Sequence, residues 1–139
     1  MPTAEFIRQW RQRTGELAGL EWLESQGARV VLSGVGFRVL ADAQYSIGDL
    51  NGDGTPATLA ADEAARRGIL VVAPVGNGGP GRETLAAPAD GDSVLAVGAL
   101  DPQGFVAALS ARGPTGDGRP KPELLAPGDP VPAASLQVE

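Results

Sequence analysis

The sequence predicts an α/β fold built on a short parallel sheet flanked by helices. Three continuous apolar runs, residues 28–35, 69–75 and 93–100, lack a helical period and have the length of buried strands. Segments with helical spacing precede the first two runs, an alternation typical of parallel sheets that are covered on both faces. The 20 glycines and 12 prolines fall mostly between the apolar runs, where loops are expected. At 139 residues the chain forms one domain or part of one.

The first predicted helix covers residues 3–26, and we expect residues 1–14 to be a helical extension of the domain. Apolar residues recur along this segment at helical spacing: Phe6, Ile7, Trp10, Leu17, Leu20 and Leu23. Thr14-Gly15 is a possible break between two helices. Gly27 is a plausible end, because glycine readily takes the left-handed conformation that terminates helices.

The second predicted helix starts at Thr55-Pro56, after an irregular stretch at residues 36–54. Threonine can cap a helix, and proline is well tolerated at the first helical position. The alanine-rich segment that follows ends at Gly68. Residues 124–126 are a candidate fourth strand, so we expect three or four strands. Only two predicted helices separate these strands, so the sheet looks incomplete for a doubly wound domain.

Composition excludes several classes of function. The chain has no cysteine, which excludes disulfides, thiolate metal sites and cysteine nucleophiles, and no histidine, the commonest general base. The net charge of −6 argues against a nucleic-acid partner. No apolar run reaches the roughly 18 residues of a membrane span, and the first residues lack a signal-peptide pattern. We expect no cofactor, no bound metal and no membrane partner.

A glycine-rich fingerprint at residues 76–81 raises the alternative of nucleotide binding. It follows a predicted strand and matches G-x-G-x-x-G, and Asp101 lies where a ribose-binding acid is found. A dinucleotide phosphate also needs a helix N-terminus directly after the glycines. Pro88 and Gly91 interrupt the stretch where that helix belongs. The fingerprint is therefore a weak signal.

Residues 49–54 resemble the start of a calcium loop. Asp49, Asn51 and Asp53 place oxygen ligands at alternate positions, and Gly54 is sixth. The twelfth position is Ala60, where a calcium loop has a bidentate glutamate. We interpret this segment as a turn that leads into the second helix, with calcium binding left open.

Asn77 is the candidate catalytic residue. It follows a buried strand within a glycine-framed loop, so its side-chain amide can point at a neighbouring site. Such a donor can stabilise a developing oxyanion. The alternative is an asparagine that simply adopts a left-handed turn.

Four segments, in order, resemble the middle of a subtilisin-like serine protease domain, peptidase family S8. The resemblance covers residues 15–135 as one partial domain. The segments are LEW with GARVVLSGVGF (residues 20–37), AADEAA with GILVVA and GNG (residues 60–78), APAD with SVLAVGA (residues 87–99), and SARGP with DGR and KPELLAPG (residues 110–128).

The resemblance implies a partial subtilisin-like (Rossmann-like) fold and a peptide or protein substrate. It implies that Asn77 contributes to the oxyanion hole. Gly34, Val35 and Gly36 would offer backbone groups to an extended peptide, as a sheet edge does. Val75 and Gly76 would border the pocket for a substrate side chain.

The family's catalytic Asp and His come from segments before this one, and its nucleophile from a Gly-Thr-Ser motif after it. This chain has no histidine and no such motif after Gly128, so we expect it to be inactive alone. Three interpretations stay open: a segment of a longer protease, a non-catalytic peptide-binding or assembly module, and an unrelated ligand-binding α/β domain. A longer precursor would imply secretion. Sheet edges left unpaired would favour self-association.

Overall fold

A computed structural model describes residues 15–40 and 43–132. In chain order, the first half contains α1 (Gly15–Ser25), β1 (Val30–Leu32), the hairpin strands β2 (Val39–Leu40) and β3 (Ala43–Gln44), and a 3-10 turn (Ile47–Asp49). The second half contains α2 (Pro56–Arg66), β4 (Leu70–Pro74), β5 (Val94–Leu100) and β6 (Leu124–Pro127). No helix in the described ranges is long and apolar enough to cross a membrane.

The main sheet has four parallel strands in the order β1-β4-β5-β6. In this register Val30 is paired with Leu70, Val72 with Leu95, and Val97 with Leu124. The predicted α/β class with three or four parallel strands is confirmed. Strands β2 and β3 form a separate antiparallel pair.

Helix α1 ends, and helix α2 begins and ends, where the sequence predicts. Gly27, two residues after the end of α1, has a φ of +79°, and Gly68, two residues after the end of α2, has a φ of +88°. The hydroxyl of Thr55 accepts a hydrogen bond from the backbone N–H of Thr58, which caps α2 at its start. The part of the first predicted helix at residues 3–14, with Phe6, Ile7 and Trp10, lies outside the described residues, as do residues 133–139.

Strand β1 is shorter than the apolar run that predicts it. Pairing with β4 stops after Leu32, where the N–H of Ser33 donates to Val72. Beyond that point the chain turns toward Ala87, which exchanges two backbone hydrogen bonds with Phe37. The stretch predicted to be irregular also holds the β2–β3 hairpin. Tertiary pairing, rather than apolar content, sets these boundaries.

Helices α1 and α2 pack on one face of the sheet, which we call the helix face. Leu20 of α1 and Ala61 of α2 join a buried cluster with Val31, Val71 and Ala73 of the sheet. Side chains alternate along a strand, so the intervening residues lie on the opposite face. We call this the open face, formed by Val30, Leu32, Leu70, Val72, Leu95, Val97, Leu124 and Ala126. The sequence predicts two covered faces, whereas α1 and α2 both cover the helix face.

A buried polar network holds the loops around α2. The Asp90 carboxylate is fully buried and accepts hydrogen bonds from the Thr58 hydroxyl (2.7 Å) and the Gly52 N–H (3.1 Å). Burial raises the pKa of Asp90 above its usual range. Nearby, the buried ammonium of Lys121 donates to the carbonyls of Gly91 and Val94. These contacts fix the loop that leads into β5.

Two glycines in open space give a prediction about α1. A Cβ at Gly19 or at Gly27 would meet no atom within 4 Å, but only Gly27 has a positive φ. We expect Gly19→Ala to stabilise the fold by about 0.5–1 kcal/mol through helix propensity. Gly27→Ala should destabilise it by about 1 kcal/mol because alanine is strained in the left-handed region. Urea unfolding measures both, and equal effects would contradict the assignment of the helix end.

The carboxylate of Asp117 gives a prediction about acid stability. Hydrogen bonds from Arg119 and Thr115 lower its pKa to about 2, from a usual value of 3.8. A lowered pKa stabilises the folded state above the unfolded pKa, and this stabilisation is lost as the pH falls. We therefore expect the melting-temperature difference between the wild type and Asp117→Asn to shrink between pH 4 and pH 2. A melting-temperature difference that stays constant between pH 4 and pH 2 would contradict a stabilising role of the ionised Asp117 carboxylate.

Candidate functional site

A cleft of about 430 Å³ opens at the carboxyl ends of β1, β4, β5 and β6. In parallel α/β sheets this edge is where ligands bind. The lining residues are apolar, small or amide-bearing: Leu32, Ser33, Gly34, Val72, Ala73, Pro74, Val75, Gly76, Asn77, Val97, Gly98, Ala99, Leu109, Ser110, Ala126, Pro127 and Gly128. None of them carries a titratable carboxyl, amine or imidazole group, so this lining can bind and orient a ligand but supplies no general base.

Asn77 lies at the mouth of the cleft, just beyond the end of β4. Backbone hydrogen bonds hold the preceding residues, because the Val75 N–H donates to Val97 and the Gly76 carbonyl accepts from Ala111. Gly76 has a φ of +98°, a conformation that glycine takes without strain. The Asn77 side chain is exposed and has no hydrogen-bond partner among the described residues. Its amide is therefore available as a donor into the cleft.

The segment after β1 forms the other wall of the cleft. Gly34 lies there with no atom within 4 Å of the position a Cβ would take. In the described part of the chain, the backbone N–H and C=O groups of Gly34 and Gly36 make no hydrogen bond. Unpaired backbone groups along an extended segment can bind an extended peptide as an added strand.

The structure brings together four of the six predicted site residues. Gly34, Val75, Gly76 and Asn77 all line the cleft. Val35 and Gly36 do not. Val35 is 50% exposed, and Gly36 lies against Ala86 instead.

The sequence analysis did not single out Ala86, which lies beside the cleft and is not part of its lining. Its methyl carbon lies 2.9 Å from where a Cβ on Gly76 would sit and 3.1 Å from the equivalent point at Gly36. The backbone N–H of Ala86 donates to Val75, which fixes this position. The methyl group therefore lies between Gly36 and Gly76, outside the cleft lining. No local pattern marks it, because Gly36 and Ala86 are 50 positions apart in the sequence.

The structure gives no support to a nucleotide site at residues 76–81. No helix occurs in residues 82–93, so the fingerprint lacks the helix N-terminus that a pyrophosphate needs. The Asp101 carboxylate accepts hydrogen bonds from the backbone of Gln103 and Phe105. Its role in the described structure is to stabilise a turn.

The calcium-like segment is a turn, as expected. The Asp49 carboxylate accepts hydrogen bonds from the backbone and hydroxyl of Ser46, and the Asn51 side chain accepts one from Asp53. A Cβ on Gly54 would lie within 3 Å of the Asp49 backbone, so this tight turn requires glycine. Within residues 15–40 and 43–132, no cluster of three acidic side chains is placed to hold a metal ion.

Comparison with known proteins identifies the family to which this chain belongs. The model described as Peptidase_S8, the subtilase family, matches residues 12–139. Serine protease AprX of Bacillus subtilis (strain 168) is 42% identical over 80 residues, which are 52% of this chain and 18% of AprX. Subtilisin DY of Bacillus licheniformis is 33% identical over 114 residues, 81% of this chain and 35% of that protein.

The fold also matches solved protease structures. The structure of the prenylagaramide maturation protease PagA superposes with a TM-score of 0.64 at 26% identity, over 87% of this chain and 39% of PagA. This chain thus spans between about a fifth and two fifths of the length of these relatives.

Proposed function

Because this chain belongs to the subtilase family, we propose that it is the central segment of a subtilisin-like serine endopeptidase. Such an enzyme hydrolyses peptide bonds through a Ser-His-Asp triad. The observation that supports the proposal most directly is the cleft, where Gly34, Val75, Gly76 and Asn77 meet at the carboxyl edge of the sheet. The substrate is a peptide or an unfolded stretch of a protein. Within the chain, residues 1–14 are an extension and residues 15–135 carry the protease-like segment.

Each of these residues has a part in substrate binding or catalysis. An extended peptide lies along residues 34–36 and hydrogen-bonds to the free backbone groups of Gly34 and Gly36. Val75 and Gly76 border the space for one substrate side chain. The Asn77 amide donates to the carbonyl oxygen as it becomes an oxyanion.

This chain alone is proposed to lack catalytic activity. It has no histidine, and the cleft lining has no titratable group that could accept a proton from a serine. The base and nucleophile would come from other segments of the enzyme.

The second candidate is a non-catalytic peptide-binding module derived from the same fold. The free backbone groups of Gly34 and Gly36 favour it, since they can bind a peptide without any chemistry. The two candidates agree on where the peptide lies and differ on whether a triad acts on it.

Peptide binding by the 139-residue chain tests the proposed site. We expect a fluorescein-labelled oligoalanine peptide to bind, as measured by anisotropy. Gly34→Leu should weaken binding at least about tenfold by filling the cleft wall. Gly19→Leu, which places the same side chain in open space on α1, is the matched control and should bind normally.

The same purified chain tests whether it lacks proteolytic activity. We expect no release of fluorescence from labelled casein and no labelling by a fluorophosphonate. Casein cleavage with labelling would show that a complete catalytic site exists in this chain. Unweakened binding by Gly34→Leu would show that the peptide lies elsewhere.

A further inference from the structure

The two asparagines of the chain, Asn51 and Asn77, are each followed by a glycine. In an Asn-Gly pair the glycine nitrogen can attack the side-chain amide carbon of the asparagine, because no Cβ on the glycine hinders the approach. The sequence alone therefore gives both pairs the same reactivity. The fold places them in opposite surroundings.

The pair Asn77-Gly78 is exposed and unpaired. Neither the Asn77 side chain nor the Gly78 N–H has a hydrogen-bond partner among the described residues. Gly76, on the other side, has a φ of +98°, so Asn77 lies between two glycines and its backbone is little hindered. The first fixed group after the pair is the Gly79 N–H, which donates to the Leu109 carbonyl at 3.0 Å. Attack of the Gly78 nitrogen on Asn77 therefore breaks no hydrogen bond of the described structure.

The pair Asn51-Gly52 is held by hydrogen bonds on both sides. The buried N–H of Gly52 donates to the Asp90 carboxylate at 3.1 Å. The side-chain oxygen of Asn51 accepts a hydrogen bond from the Asp53 N–H at 3.0 Å. Attack needs the Gly52 nitrogen to lose its proton, and the charge of a neighbouring carboxylate disfavours an anionic nitrogen. Asn51 is therefore an internal reference with the same sequence chemistry and a protected structure.

We propose that Asn77 is a deamidation site and that its modification removes the oxyanion donor, a consequence that rests on the proposed function. Hydroxide takes the proton of the Gly78 nitrogen, which forms a bond to Asn77 Cγ. The Cγ–Nδ2 bond breaks and ammonia leaves, so a five-membered succinimide ring remains. One water then opens the ring to aspartate or isoaspartate at position 77. In sum one water is consumed and one ammonia is released, with no oxidation or reduction.

The product cannot replace the amide at the cleft. An amide nitrogen donates two hydrogen bonds, whereas an ionised carboxylate only accepts them. A negative charge beside a developing oxyanion also destabilises the transition state. Cover of the open face by the rest of a protease domain leaves Asn77 accessible, because an oxyanion donor must face the substrate. The active lifetime of such an enzyme would therefore be shorter in alkaline solution, where the Gly78 nitrogen loses its proton more readily.

Peptide mapping by mass spectrometry tests the site on the folded 139-residue chain in mildly alkaline buffer. Each deamidation adds about 1 Da to the peptide. We expect Asn77 to react at least about tenfold faster than Asn51, because the hydrogen bond from Gly52 to a carboxylate must first break. In concentrated urea the two rates should converge. Equal rates in the folded chain, or reaction of Asn77 only in urea, would overturn the proposal.

A pair of matched variants assigns the mass gain independently of the peptide map. Asn77→Gln should abolish the fast mass gain, because attack on a glutamine side chain would need a larger ring. Asn51→Gln is the control and should leave the fast mass gain unchanged. A fast mass gain that persists in Asn77→Gln would also overturn the proposal.

Activity of the protease that contains this segment separates this proposal from the proposed function. The loss of kcat during alkaline incubation should follow the fraction modified at position 77, and Asn77→Asp should have a low kcat from the start. Deamidation of Asn77 with an unchanged kcat would overturn the oxyanion role and support the modification site alone. An Asn77 that stays unmodified would overturn the modification site and leave the proposed function standing.

Discussion

Replacing Asn77 with alanine is expected to lower kcat by about 10²–10³-fold in the protease that contains this segment. The side-chain amide has no partner among the described residues and faces the cleft, so it is free to donate to an oxyanion. A donor that acts only on the transition state changes kcat and leaves KM nearly constant. Steady-state kinetics on a chromogenic peptide measure both constants.

A second variant separates this role from a structural one. Asn77→Gln keeps the amide but moves it by one methylene, so it should recover part of the lost rate. Melting temperatures should be similar for both variants, because the exposed side chain contributes little to packing. A rise in KM with an unchanged kcat would instead make Asn77 a ground-state binding residue.

Replacing Asp90 with alanine is expected to destabilise the fold by about 3 kcal/mol. The change leaves the Gly52 N–H and the Thr58 hydroxyl without their acceptor in a buried site, and each unsatisfied donor costs about 1–3 kcal/mol. Urea unfolding of the purified chain measures the loss. We expect the loss in free energy of unfolding for Asp90→Ala to exceed the other stability changes predicted for the chain.

Two further substitutions make the Asp90 result interpretable. Asp90→Asn keeps one side-chain acceptor and avoids burying a charge, so it should cost less than alanine. This ranking follows from the desolvation that raises the pKa of Asp90. Asp53→Ala, at an exposed position before α2, should change stability by less than about 0.5 kcal/mol. A small loss for Asp90→Ala would mean that water replaces the carboxylate.

The elements with strong local signals could be predicted from the sequence. Thr55-Pro56 marks the start of α2, and continuous apolar runs predict β4 and β5 to within one or two residues. The hairpin at residues 39–44 escaped prediction because two-residue strands are defined by pairing, not by composition. The sequence also could not predict which face of the sheet the helices cover, because helical spacing does not say on which face a helix packs.

Some residues of the candidate site could be predicted from the sequence and others could not. Gly34, Val75, Gly76 and Asn77 could be named because they follow strands in a recognisable order, and they meet in the cleft. The lining residues Leu109, Ser110 and 126–128 could not, because long-range contacts bring them to the cleft. Val35 and Gly36 were predicted with Gly34, but the cleft lining stops at Gly34.

The burial of Lys121 makes its chemical modification a measure of local opening. Lys121 is the chain's one lysine, and its side chain is 2% exposed while it donates to the carbonyls of Gly91 and Val94. Acylating reagents need an accessible amine, so the folded chain should protect Lys121 from them. The rate at which Lys121 is acylated would therefore report how often the loop before β5 opens.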